Sequence, residues 1–266
     1  MLFRPFAIFI SCLGCLLGTS YGHSSDLDQP SEVAHLAVAS NFTPTMKNLV
    51  KVFEKSHRHK VRVSYGSSGK LYAQIKHGAP FHGLLSADQD KISRLVRDGL
   101  AHERDQFTYA IGTLVLWSSR ENYVDSQGQI LQSGNFQRLA LANDKLAPYG
   151  LAAKQVLQHL QLIDTTQKKW ITGENIAQTF QFVRSGNAQL GFIARSQLKP
   201  NTQGSYWLIP MDLYDPIKQD GILLKSASNN SAASAFMSFL TSATAQNIIH
   251  SFGYRLPQNN AKAYQL

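Results

Sequence analysis

Short apolar runs alternate with amphipathic stretches along almost the whole chain, and this alternation restricts the fold more than any other feature. Val33-Ala-His-Leu-Ala-Val-Ala39 suits a buried strand, and Met46, Leu49, Val50 and Phe53 then fall on one helical face. Lys60–Tyr65 with Leu71–Lys76, and Leu84–Ser86 with Asp90–Arg97, repeat the strand and the helix. Phe107-Thr-Tyr-Ala-Ile-Gly-Thr-Leu-Val-Leu-Trp117, rich in β-branched and aromatic residues, reads as one long extended stretch, after which the pattern restarts. Arg138–Ala142 is a strand, a helix runs from Pro148 to Leu160, and Lys169–Ile171 leads into a helix over Glu174–Phe180. Leu190–Ala194 and Tyr206–Ile209 are further strands, Gln219–Lys225 is a second extended join, and Ala232–Leu240 and Ala243–Phe252 read as terminal helices. Strand, helix and strand in succession require crossover connections and mostly parallel sheets. With 266 residues, 43% of them apolar, the chain can bury two cores. The expectation is an α/β chain of two lobes joined by two hinge crossings. Residues 33–113 plus 223–266 form the first lobe, and 114–222 the second.

The beginning of the chain has a different character. Met1 to Arg4 is followed by an apolar stretch from Phe6 to Gly18 and then by small and polar residues, the pattern of a secretory signal. That run is shorter than the roughly 20 residues that span a bilayer. Ser20 and Gly22 place cleavage after Gly22, so residues 1–22 are expected to be removed and 23–32, which are polar, to be disordered. A lipid-attached alternative rests on Gly14-Cys15, although Cys12 and Leu13 fit a lipid-attachment motif poorly. Both cysteines, Cys12 and Cys15, lie in the signal, so the exported chain has no disulfide, thiol chemistry, cysteine zinc site or iron–sulfur cluster.

Four expected strand-to-helix junctions carry small or hydroxyl-bearing residues: Ser40-Asn41, Ser67-Ser68, Pro148-Tyr149-Gly150 and Asn175-Ile176. In an open parallel sheet, ligands sit at these carboxyl ends of strands, where helix starts offer unpaired N–H groups and partial positive charge. A single junction of this kind is explained by helix capping alone. Four together would cage an anion.

The residues at these junctions also carry a family resemblance. Ala37-Val-Ala-Ser-Asn-Phe42, Ser64-Tyr-Gly-Ser-Ser-Gly-Lys-Leu-Tyr-Ala-Gln-Ile75, Gly78-Ala-Pro-Phe81, Leu85-Ser-Ala-Asp88, Ala147-Pro-Tyr-Gly-Leu-Ala152 and Gly173-Glu-Asn-Ile-Ala-Gln178 resemble the periplasmic molybdate-binding proteins of ABC transporters. The match continues through Tyr214-Asp-Pro-Ile217 to Phe252-Gly-Tyr254. The resemblance implies a two-lobed periplasmic-binding fold of type II-like form, each lobe a mixed, mostly parallel sheet flanked by helices. It implies oxyanion contacts at Ser40, Asn41, Ser68, Tyr149 and Ile176, with Ile176 acting through its backbone N–H. Molybdenum would be held only as the bound oxyanion, with no cofactor and no catalysis. The implied partners are molybdate or tungstate and a membrane permease, and the protein would work as a monomer in the periplasm. Two positions depart from the family pattern. Ala194 cannot supply the ligand-touching hydroxyl that some members carry on that strand, and His82 stands where relatives usually have an acid.

Other chemistries have weaker support. His57-Arg-His59, His77 and His82 are interleaved with Arg58 and Lys60 and lack an acidic or cysteine partner nearby, which favours a solvated basic helix end over a metal site. Gly66-Ser-Ser-Gly-Lys70 is too short for the nucleotide loop G-x-x-x-x-G-K-[ST], and no G-x-S-x-G or H-E-x-x-H occurs. The balance of 26 Lys plus Arg against 17 Asp plus Glu gives a net charge of +9. That charge can steer anions, but the aromatics sit in strands rather than among the basic residues, which argues against nucleic acid. The alternatives are a receptor for sulfate or phosphate and, from another class, a secreted hydrolase with Ser68 or Ser40 as nucleophile.

Overall fold

A computed structural model of the protein describes residues 31–257. The expected signal segment with its two cysteines, residues 23–30 and the end of the chain after 257 lie outside the described residues. The elements follow in chain order: β1 (Val33–Ala39), α1 (Thr43–Ser56), β2 (Lys60–Gly66), α2 (Ser68–Lys76), β3 (Gly83–Leu85), α3 (Asp90–Arg97) and β4 (Phe107–Gly112). Next come β5 (Leu114–Ser118), α4 (Gln129–Ser133), β6 (Leu139–Ala142), α5 (Pro148–His159), α6 (Ile163–Thr166), β7 (Trp170–Gly173), α7 (Ile176–Arg184), β8 (Leu190–Ala194) and β9 (Ser205–Leu208). The chain closes with β10 (Ile217–Leu223), α8 (Ser231–Leu240) and α9 (Ala243–Ser251).

The strands form two five-stranded sheets, ordered β2-β1-β3-β10-β4 and β7-β6-β8-β5-β9. Each sheet is mixed. β1 pairs in parallel with β2 and β3, and β6 in parallel with β7 and β8, while β10 and β5 run antiparallel to both of their neighbours. The two sheets share one plan: four strands in the order second, first, third, fourth, with a fifth inserted before the last. That fifth strand is in each case the first one after the chain crosses between sheets. The expected two-lobed α/β architecture is therefore present.

Its internal boundaries differ from the sequence reading in two places. The stretch Phe107–Trp117 is two strands, β4 and β5, in different sheets, separated only by Thr113. Beside that break Gly112 packs directly against the Tyr149 hydroxyl, where any Cβ would overlap it. The return crossing also lies earlier in the chain than expected. β10 lies wholly in the first sheet, so the chain crosses back over residues 209–216 and not at 222/223. Ser31 and Glu32, expected within the disordered start, are also held in place. Ser31 Oγ donates to Arg58 O at 2.8 Å, and the Glu32 carboxylate accepts from Ser231 N and Oγ at 2.6 and 2.8 Å. Those bonds cap α8 and pull the Glu32 carboxyl below its ordinary pKa.

Each sheet is buried on both faces, which is why its central strands are almost continuously apolar. Leu36 and Val38 of β1 enter one core with Phe42, Met46, Phe53 and Phe236, while Ala37 between them faces another with Leu71, Leu84, Ile92 and Leu95. In β5, Leu114 and Leu116 face the core that holds Phe192 and Leu157, whereas Val115 and Trp117 face Val183 and Ile193. α8 packs on β1 and α9 on α1, which returns the C-terminal helices to the first sheet.

Candidate functional site

Four βα junctions open onto a single small cavity. Two belong to the first sheet: the 3-10 turn Ser40–Phe42 after β1, and Ser67-Ser68 between β2 and α2. The other two belong to the second: Ala147–Tyr149 at the start of α5, and Ile176 at the start of α7. The cavity is lined by Ser40, Asn41, Ser67, Ser68, Tyr149 and Ile176, with small and apolar residues filling the rest, and no charged side chain takes part. All five sequence-predicted positions therefore come together. Its free space is about 10 Å³, the room of roughly one water molecule.

The donors around the cavity differ in how they are prepared. Ser68 Oγ accepts from Ala87 N at 2.9 Å, so its own proton can be given to a ligand. Ser67 Oγ is buried in the lining with no hydrogen-bond partner, and it does not cap α2. An orphaned buried hydroxyl costs about 1–3 kcal/mol unless something meets it. Asn175 caps α7 by accepting from Ala177 N and Gln178 N at 3.0 and 3.1 Å, which leaves the Ile176 N–H as the unclaimed donor of that helix start. The Ile176 side chain lies in the core of the second sheet.

Asn41 is used differently from the expectation. Its side-chain nitrogen donates to Gln219 Oε1 at 2.9 Å and to the Tyr254 hydroxyl at 3.0 Å, which occupies both of its N–H bonds within the protein. Asn41 O in turn accepts from Ser196 Oγ at 2.9 Å and the Tyr254 hydroxyl at 3.0 Å. Tyr149 accepts from Gln219 Nε2 at 3.1 Å. Burial pushes the phenols of Tyr109, Tyr149 and Tyr254 far above the ordinary tyrosine range, so all three are neutral donors at neutral pH.

Sequence reasoning did not single out Gln219, Ser196, Tyr109 or Tyr254 as parts of the site. The available signal was Gln219-Asp220, two polar residues inside an otherwise apolar strand. Both are buried, and Asp220 accepts from Thr108, Gln106 and Gln89 at 2.7, 2.6 and 3.0 Å.

The lobes touch directly around the cavity. Gly69 N donates to Leu146 O at 3.0 Å, and Lys70 pairs with Glu174 at 2.6 Å. Of the unusual positions, His82 Nδ1 accepts from His35 N at 3.0 Å. A carboxylate in that place could accept the same bond. His57 stacks on Phe53 at 4.1 Å between ring centroids, and His59 Nδ1 accepts from Glu32 N at 3.3 Å.

Two mixed α/β lobes closing on a pocket of uncharged donors define a solute-binding protein, and comparison with known proteins agrees. Residues 34–255 match the bacterial extracellular solute-binding proteins, and the chain belongs to that family. It is 46% identical over 231 residues to the molybdate-binding protein ModA of Azotobacter vinelandii, covering 86% of this chain and 91% of that protein. It is 43% identical over 218 residues to ModA of Rhodobacter capsulatus, covering 82% and 86%. The solved structure of the Azotobacter vinelandii periplasmic molybdate-binding protein superposes with a TM-score of 0.82 at 39% identity, over 85% of this chain and 100% of that one. Among the described residues, no helix is long and apolar enough to cross a membrane.

Proposed function

We propose that this chain captures molybdate, and tungstate with it, in the cavity between the two sheets and delivers it to the membrane permease of an ABC transporter. It does so as a monomer in the periplasm, after removal of residues 1–22, and performs no covalent chemistry. The observation that carries this reading is the convergence of four βα junctions on one buried, uncharged, donor-rich pocket in a chain so similar to molybdate-binding proteins. The contacts are the hydroxyls of Ser40, Ser68 and Tyr149 and the backbone N–H groups of Asn41 and Ile176, with Ser67 as an added donor.

A dianion needs no lysine or arginine in such a pocket. Each N–H or O–H bond to a charged oxygen is worth roughly 1.5–3 kcal/mol net, and several of them replace the hydration shell. The small free space of the pocket, about 10 Å³, fits lobes that part to admit the ligand and close around it. Thr113 and residues 209–216 are the two crossings about which they would turn.

Selectivity is the test. Molybdate and tungstate share size and charge and should bind alike. Sulfate is smaller and leaves donors unmet, while phosphate carries a proton that this lining is poorly built to accept. Competition calorimetry at fixed ionic strength should show a preference for molybdate of at least about a hundredfold, equivalent to ~2.7 kcal/mol. Sulfate displacing molybdate at comparable concentration would replace this reading with a general oxyanion receptor. The hydrolase alternative finds no support, since neither an imidazole nor a carboxylate lines the cavity beside Ser40 or Ser68.

A further inference from the structure

Gln219 lies in β10 with no exposed surface and does not line the cavity, yet it touches two residues that do. Its Oε1 accepts from Asn41 Nδ2 at 2.9 Å and from the Tyr109 hydroxyl at 3.2 Å, and its Nε2 donates to the Tyr149 hydroxyl at 3.1 Å. Asn41, Tyr109 and Gln219 belong to the first lobe, and Tyr149 opens α5 of the second. One side-chain amide thus joins the lobes beneath the pocket, next to the crossing at Thr113. Gly112 makes room for this contact, since a Cβ there would overlap both the Tyr149 hydroxyl and Gln219 Nε2.

The direction of these bonds matters more than their number. Asn41 Nδ2 holds the amide oxygen, while the single Tyr109 proton is shared between that oxygen and Ser86 O at 3.0 Å, so the amide nitrogen is left facing Tyr149. A phenol oxygen that receives an N–H bond turns its own proton away from that donor. We propose that Gln219 is a positioning residue for oxyanion capture. It keeps the Tyr149 hydroxyl oriented as a donor to the ligand, and it ties Asn41 to Tyr149 so that both reach their places as the lobes close. The proposal rests on the reading of the cavity as an oxyanion site.

Gln219→Glu reverses the polarity. An ionised carboxylate would accept a hydrogen bond from the Tyr149 hydroxyl and set a negative charge beside the dianion, whereas a protonated carboxyl still donates as the amide does. The titratable groups facing this position are Tyr109 from β4, Tyr149 from α5 and Tyr254, which shares Asn41 and also reaches the Tyr149 hydroxyl. Burial holds all three phenols neutral. Asp220 lies beside Gln219 and is bound by Thr108, Gln106 and Gln89. Burial would raise the introduced carboxyl above the ordinary carboxylate range.

Molybdate titrations followed by calorimetry should show Gln219→Glu weakened at least about tenfold near pH 8 and recovering toward wild type near pH 5.5, with wild type flat between them. Gln219→Met, uncharged and of similar length, supplies a second line should the Glu variant not fold. It should lose affinity by about three- to tenfold without pH dependence. In its background Tyr149→Phe should cost less than in wild type, because the hydroxyl is already misdirected. Wild-type affinity in Gln219→Met, together with an unchanged cost of Tyr149→Phe, would overturn the proposal while leaving the site intact. A wild-type chain that binds neither molybdate nor tungstate in the same titration would overturn the oxyanion site and the proposal with it.

Discussion

The two lobes approach one cavity with different kinds of donor. The first lines it with hydroxyls, of Ser40 on a 3-10 turn and of Ser67 and Ser68 at the start of α2, where no side chain caps the helix. The second contributes main chain at α7, where Asn175 has already taken the next two N–H groups, and one tyrosine whose ring is buried at the start of α5. With the contacts proposed above, the shared βα plan would give a first lobe that relies mainly on hydroxyls and a second in which one hydroxyl, that of Tyr149, is joined by the main chain of α7. Side-chain donors can be deleted singly, but backbone donors are lost only when the element that carries them moves.

The largest expected effect comes from moving such an element. Gly150 packs against the main chain of Ala142 and Asn143, and a Cβ there would overlap the Ala142 carbonyl. Gly150→Ala should displace the start of α5, cost about 1–3 kcal/mol in denaturant unfolding, and reduce molybdate affinity by more than about tenfold. Retained affinity would show that the second lobe tolerates displacement and would break the contrast.

A paired substitution tests the contrast directly. Ser68→Ala removes a donor facing charge and should weaken binding by about 1–3 kcal/mol in calorimetry, with a smaller effect on stability. Ile176→Val keeps the backbone N–H and should leave affinity unchanged while lowering stability by about 0.5–1.5 kcal/mol. Equal losses of affinity in both variants would mean that the lobes do not differ in this way.

Alkaline pH probes the phenols at the seam between the lobes. The folded pKa values of Tyr109, Tyr149 and Tyr254 all lie above the unfolded value of about 10. Their contribution to stability is complete below that pH and is lost as pH rises toward the folded values, when the unfolded chain ionises first. Thermal melts should be level in this respect up to about pH 9 and fall above about pH 10, and less steeply in Tyr149→Phe. An identical fall in that variant would assign the alkaline limb to other groups.

The smallest effect belongs to the ion pair across the mouth. Lys70 and Glu174 are both about half exposed, so Lys70→Gln should change molybdate affinity by no more than about 1 kcal/mol, and chiefly at low salt. A larger change that persists in high salt would make this pair a true clasp of the closed form.

Much of this molecule is legible locally. The period of the apolar residues places β1, β8 and α3 within a residue of their observed bounds, and the small and hydroxyl residues after the strands mark all four junctions that reach the cavity. These features depend on neighbours a few positions apart, whose spacing decides between helix and strand and whose capping chemistry starts a helix. The tertiary structure decided what depends on distant partners. Phe107–Trp117 has the composition of one strand, and it is the pairing of β4 with β10 and of β5 with β8 and β9 that divides it between two sheets. β10 could have belonged to either lobe by composition, and its place between β3 and β4 is set by pairing with residues more than a hundred positions earlier. The spent donors of Asn41 likewise exist only once β10 and the end of the chain reach the β1 junction, and the bond from the Gln219 amide to Tyr149 only once the lobes meet. A hydrogen bond between residues 41 and 219 has no local signature, because it is geometry and not sequence spacing that brings its two ends within reach.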